Sequence, residues 1–362
     1  MLRSAFHRSL GEITMVVPHS YLVALLMTML TMTCWGSWAN VVKLVKNWRF
    51  ELLYYDYALG ILLTSVVAGL TLGSMGSYGR PFLDDLASAD ARNIAFGLLG
   101  GVVYNISNIL VVGAMAIAGL GVAFPIGVGL ALVVGVIWNY CVNPQGNPML
   151  LFTGVAMVVA AIVIDGVAYR VHTLSKARGG PETVSGNIQG KDKIRKGILL
   201  SVIGGLLMGM FFPLVEIGKK GPGGLGPYAI GFVFSVGVFL STFVFNAYFM
   251  RKPVQGEPLR FSDYFRGTFK EHFWGIFGGG VWAVGTLSSF VAASAPRELQ
   301  VGPAISYALG QGSTMVGAFW GVVVWKEFAG GLTIVKRLLV LMFILFVSGL
   351  SIVSIAPLYA AR

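Results

Sequence analysis

Ten stretches of mostly apolar residues follow one another along the chain, near 20–42, 54–78, 94–117, 121–142, 149–169, 197–218, 227–250, 273–294, 299–325 and 333–356. A helix needs about 20 such residues to cross the hydrocarbon core of a bilayer. The pattern therefore predicts an all-α membrane protein with ten transmembrane helices. Arg3 and Arg8 precede the first stretch, but that stretch is too long for a signal-peptide core and lacks a small-residue cleavage site, so it is read as a span. The one long polar segment runs from Arg170 to Lys196 and holds Gly179, Gly180, Pro181 and several charges. It divides the chain into a five-helix repeat at 1–169, a linker at 170–196 and a second five-helix repeat at 197–362.

Composition agrees with this solvent. Charged residues are 11% and apolar residues 56% of the chain, against roughly 25% and 45–50% in soluble domains. The 49 glycines lie within apolar runs, where they let helix backbones approach closely. The net charge of +11 sits in short runs between apolar stretches and forms no basic face interleaved with aromatics, which argues against a nucleic-acid partner. Loops after the odd-numbered spans, counted with Lys336 and Arg337 in the first turns of the last span, carry 18 of the 26 Lys and Arg. Basic residues resist translocation, so the linker is expected in the cytoplasm and both termini outside it, in the plasma membrane. Cys34 and Cys141 build neither a disulfide framework nor a zinc site. His7, His19, His172 and His272 fall in termini, loops or span edges, so none is expected to serve a metal or a proton relay.

The halves echo each other in order. Tyr57-Ala58-Leu59-Gly60 answers Tyr228-Ala229-Ile230-Gly231 at an offset of 171, and Gly100-Gly101 with Tyr104 answers Gly278-Gly279 with Trp282 at 178. Gly135-Val136-Ile137-Trp138 answers Gly321-Val322-Val323-Val324-Trp325 at about 186. Halves with an odd number of spans must lie in opposite orientations, the inverted design that puts a substrate site near the midplane between them.

These residues resemble the ureide permease family, a branch of the drug/metabolite transporter superfamily related to ten-helix sugar porters. The stretches that carry the resemblance are Trp35-Gly36-Ser37-Trp38, Tyr54-Tyr55-Asp56-Tyr57, Gly100-Gly101-Val102-Val103 with Ile106-Ser107-Asn108, and Phe319-Trp320-Gly321 running to Glu327. The resemblance implies a permease that imports ureides or nucleobases by proton symport, with a proton gradient in place of a cofactor. Plant members have a nucleotide-binding-like signature in the central loop. Here Gly186-Asn187-Ile188-Gln189-Gly190-Lys191-Asp192 lacks both the spacing and the Ser/Thr of a phosphate loop, so no ATP is expected.

Polar side chains within spans cost free energy and tend to face the interior of the bundle. Asn105 and Asn108, three apart in span 3, suit a neutral ligand rich in hydrogen bonds, and Gln311 in span 9 reaches the same region from the other half. Trp282, with Tyr104, offers a stacking surface. Trp35, Trp38 and Asn40 in span 1 and Trp320 in span 9 either wall the cavity or form an aromatic belt. Proton coupling needs a carboxyl in a span, and Asp165, Glu216 and Asp56 are the candidates, Asp165 first because no basic residue lies near it before Arg170. Glu216 precedes Lys219 and Lys220 and suggests an ion pair, and Glu327 is read as a structural group at a helix end. The expected activity is secondary transport of a small neutral polar molecule. A sugar porter or a multidrug exporter remains an alternative. An intramembrane enzyme is disfavoured, because no catalytic cluster lies within the spans.

Overall fold

The computed structural model describes residues 15–359 apart from 46–47, 77, 119, 178–187, 254–255, 297–298 and 300. Both termini and the middle of the 170–196 segment, with Gly179, Gly180 and Pro181, lie outside the described residues.

Nearly everything described is helical. We label the long elements α1 (Tyr21–Leu44), α2 (Phe50–Leu70), α3 (Ala91–Ala118), α4 (Leu120–Val142), α5 (Pro148–Ala177), α6 (Ile188–Gly218), α7 (Pro227–Arg251), α8 (Phe269–Ala292), α9 (Pro303–Gln311), α10 (Ser313–Phe319) and α11 (Thr333–Ile355). Their boundaries follow local chemistry. Pro227 and Pro303 open α7 and α9, at positions where a missing N–H costs nothing. Thr268 and Glu271 cap the start of α8 reciprocally.

Among the described residues, nine helices are long and apolar enough to cross a membrane. The ninth predicted stretch is not among them, because it is broken. Its helix ends at Gln311, restarts at Ser313, and gives way over Trp320–Val324 to a π-helical turn. Gly310 and Gly312 occupy the break, where a side chain on either would press on Trp35 or Met32 of α1. Beyond the π turn Lys326 adopts φ 52°, the one non-glycine with positive φ among the described residues.

Glycines set the helix contacts. A Cβ on Gly60 of α2 would overlap the Ile276 carbonyl of α8, and one on Gly279 of α8 would overlap the Tyr57 carbonyl of α2. The α3–α7 pair is built the same way: Gly101 meets the Phe234 carbonyl and Gly237 meets the Leu98 carbonyl. Gly36 of α1 lies against the Ser313 carbonyl, and Gly205 of α6 against that of Gly127 in α4. Gly154 of α5 and Gly349 of α11 each approach the other's carbonyl. Any larger residue at these contacts would force two helices apart.

Candidate functional site

These contacts leave a cavity of about 530 Å³ between α1, α3, α4, α5, α6, α8 and the broken α9–α10 stretch. Its floor is aromatic. Trp282 stacks on Tyr104 with centroids 4.3 Å apart and lies parallel to Trp35 at 5.9 Å, and Phe211 closes the same corner against both Trp35 and Tyr104. Beyond the floor the bundle is solid: Phe212, Phe234, Phe290 and Tyr307 are fully buried, and the hydroxyls of Ser289 and Ser306 join α8 to α9 at 2.8 Å. The cavity therefore opens at one end only. That mouth carries Asn40, Lys43, Tyr169, Trp325, Glu327 and Phe328, and it lies at the end of the bundle from which the 170–196 segment leaves.

Nine of the twelve residues expected from the sequence line this cavity: Trp35, Trp38, Asn40, Tyr104, Asn108, Asp165, Trp282, Gln311 and Trp320. Fixed partners hold several of them. The Trp35 indole N–H donates to Thr286 Oγ1 at 2.9 Å, that of Trp320 to Ser37 Oγ at 2.9 Å, and that of Trp325 to Asn40 Oδ1 at 2.6 Å. The Tyr104 and Tyr57 hydroxyls share a hydrogen bond of 2.8 Å, and Asn108 Nδ2 donates to the Tyr54 hydroxyl at 3.1 Å. With Tyr104, Trp35 and Phe234 stacked around it and 4% of its surface exposed, Trp282 forms the floor of the cavity.

Three expected residues lie elsewhere. Asn105 turns to α7, where its Nδ2 donates to Ser241 Oγ at 2.8 Å and Thr242 Oγ1 at 3.2 Å, so it joins helices and does not face the cavity. Positions three apart are offset by about 60° around a helix, enough to split Asn105 from Asn108. Glu216 pairs with Lys219 at 2.6 Å, near the end of α6 away from the mouth. Asp56 is only 1% exposed and fully engaged: Tyr264 OH donates at 2.5 Å and His272 Nδ1 lies 2.8 Å away. Asp56, the third candidate for proton coupling, does not line the cavity. The carboxylate is a latch that ties the 252–268 segment to α2 and α8. The Tyr264 hydroxyl, outside the spans, is correspondingly held protonated well above its usual range by burial and by the Asp56 carboxylate.

Asp165 differs. It is 8% exposed and lines the cavity, and no basic side chain among the described residues lies within 4.0 Å of it. Near it stands Glu327, which sequence reasoning placed at a helix end and left there. The Glu327 carboxylate pairs with Lys43 of α1, and its carbonyl accepts from His172 Nε2 of α5 at 3.0 Å. The partners of Glu327 are 155 and 284 residues away in the chain, so no local signal could have found them. His272 and His172 were likewise passed over as span-edge residues.

Comparison with known proteins agrees with this architecture. A family model described as ureide permease matches residues 53–179. Over nearly its whole length the chain is similar to Ureide permease 2 of Arabidopsis thaliana, at 24% identity over 88% of this chain and 92% of that protein. Ureide permease 1 of the same plant is 23% identical over 90% and 93%, and Probable ureide permease A3 of Vigna unguiculata 21% over 81% and 92%. A solved crystal structure, 14% identical, superposes with a TM-score of 0.60 over 93% of this chain and 99% of its own, which speaks to the fold alone. By its sequence relatives and its bundle of membrane-spanning helices, the chain is a multi-pass integral membrane protein similar to ureide permeases over most of its length.

Proposed function

We propose that this protein is a secondary carrier that imports a ureide, a small neutral molecule rich in amide N–H and C=O groups, by alternating access, with protons as the coupling ion. The observation that carries this reading is the single-ended cavity, whose aromatic floor lies deep between the helices and whose wall presents the amides of Asn108 and Gln311. An amide offers a donor and an acceptor together, the complement of a ureide. Indoles and tyrosines around it exclude water without adding charge.

Two five-helix repeats of opposite orientation, with 303–324 counted as the ninth of ten crossings, account for the glycine contacts. Exchange of the halves turns each contact into another. Tyr57 with Gly279 becomes Phe234 with Gly101, and Gly60 with Ile276 becomes Gly237 with Leu98. Gly36 with Ser313 becomes Gly205 with Gly127, and Gly154 with Gly349 maps onto itself. The excess of Lys and Arg at the end bearing the mouth makes that side the cytoplasm and puts both termini outside, so this conformation is inward-open. Asp165 is the proton carrier of this reading, because a buried carboxyl without a cation is stable only when it is neutral or when something else neutralises it.

Counterflow in proteoliposomes tests the proposal. Labelled allantoin is expected to exchange saturably and faster than uracil, ribose or glucose, and an inward-acid gradient reversed in sign should reverse net accumulation. Saturable exchange of ribose or glucose without allantoin would replace the ureide reading with the sugar-porter one. No saturable exchange of any of the four would remove it.

A further inference from the structure

The charges at the mouth of the cavity do not balance. Of the residues that line it, Asp165 and Glu327 are acidic and Lys43 alone is basic. Lys43 is committed to Glu327 by an ion pair, and its ammonium also lies 4.8 Å from the centre of the Trp325 ring. Trp325 in turn donates to Asn40, so this lysine links the end of α1 to the strained turn after the π segment, with Lys326 at φ 52°. Asp165 faces the same space, more than nine-tenths buried and without an ion-pair partner among the described residues. Tyr169, one turn along α5, lies within electrostatic reach of both carboxylates.

We infer that Lys43 is a shared counter-ion: while Asp165 carries a proton Lys43 stays with Glu327, and when Asp165 releases it Lys43 is drawn between the two carboxylates and away from the Trp325 ring, which changes the shape of the mouth. This deepens the proton-coupled reading above and rests on it. In the step the Asp165 O–H bond breaks, the proton passes to water in the open cavity, and the carboxylate left behind is neutralised by an ammonium already present. No further reactant is needed. Among the described residues, the other ionisable groups at this end do not compete for that role: Arg195 and Lys196 at the start of α6 are exposed, and Arg49 is paired with Glu51. On α5, Arg170 is exposed and His172 is bound to the Glu327 carbonyl. Lys326 beside Glu327 is exposed, as are Lys336 and Arg337 on α11. α4 presents no charged side chain at this level among the described residues.

The pH dependence of uptake into proteoliposomes separates this device from a merely structural ion pair. K43Q leaves both carboxylates without a cation, so Asp165 holds its proton to higher pH and the midpoint rises by about one unit. E327Q frees Lys43 for Asp165 and removes a like charge, so the midpoint falls by about one unit. K43R stays at the wild-type midpoint, and the double variant K43Q/E327Q, with charge balance restored, returns towards it. Should K43Q fail to reach the membrane, the direction of the E327Q shift decides the matter alone. Single variants that shift in the same direction, or a double variant that keeps the shift of either single one, would overturn the proposal. So would midpoints that do not move while the wild type still responds to a pH gradient, and that outcome leaves the coupling reading standing. A wild type indifferent to the gradient removes both.

Discussion

Two buried aspartates in the same bundle have opposite fates. Asp56 is surrounded by donors, with Tyr264 at 2.5 Å and His272 at 2.8 Å, and it does not line the cavity described above. Asp165 is nearly as buried but faces an open cavity, and its only charged neighbour bound to a cation is the competing acid Glu327. A buried carboxylate that has its full set of partners is fixed in one state, because changing its charge would strand those partners. One that lacks them exchanges its proton at little structural cost. Burial alone does not separate the two. Under the proposed coupling, Asp165 is set apart by burial without a paired cation, next to the cavity.

The largest effect that would break this contrast is on stability. Asp56→Ala leaves the Tyr264 hydroxyl and the His272 ring without their shared acceptor, and stranding such hydrogen-bonding groups typically costs about 1–3 kcal/mol each. The melting temperature in detergent is expected to fall well below that of the wild type, while protein that does fold still accumulates substrate in response to a pH gradient. If the gradient response vanished along with Asp56, the latch would have to be counted as part of the coupling path. Asp165→Asn should do the reverse. It mimics the protonated state permanently, so gradient-driven accumulation is expected to fall about tenfold or more, equivalent to roughly 1.4 kcal/mol per factor of ten, with a melting temperature close to that of the wild type. Accumulation that survives Asp165→Asn would put the coupling ion elsewhere.

Sequence made one side of this contrast visible and hid the other. Asp165 stands out by what is missing beside it, a basic residue within reach along its own helix, and that criterion is local. The partners of Asp56 stand 208 and 216 residues away, and periodicity says nothing about donors from elsewhere in the chain. Glu327 was underestimated for the same reason. The repeat shows a similar limit. The double glycine of α3 and α8 matches at the offset of 178 that the Gly101 and Gly279 contacts also obey, because glycine there is demanded by a carbonyl of the neighbouring helix. Under the exchange of halves proposed above, Tyr57 answers to Phe234, 177 apart, and not to Tyr228, its partner in the Tyr-Ala-x-Gly match at 171. The break at Gly310 and Gly312 was also out of reach, since hydropathy averages over a turn and cannot tell an interrupted crossing from a continuous helix.

The smallest expected effect sharpens the contrast on a single helix. Asn105 and Asn108 are three residues apart on α3, the same in type and both buried, yet one belongs to the bundle and the other to the cavity. Asn105→Ala removes hydrogen bonds to Ser241 and Thr242, which between membrane helices are worth under about 1 kcal/mol on average, and its amide oxygen has no partner to lose. The melting temperature should drop slightly and the KM for substrate should stay within about twofold of the wild type. Asn108→Ala also costs some stability, because the fully buried Tyr54 hydroxyl loses its donor. The difference lies in the KM, which should rise about fivefold, the equivalent of one neutral hydrogen bond of about 1 kcal/mol. Stability thus cannot separate the two variants and affinity can. Equal KM values would mean that the wall of the cavity at Asn108 does not touch the transported molecule, and the contact would then have to come from the Gln311 side alone.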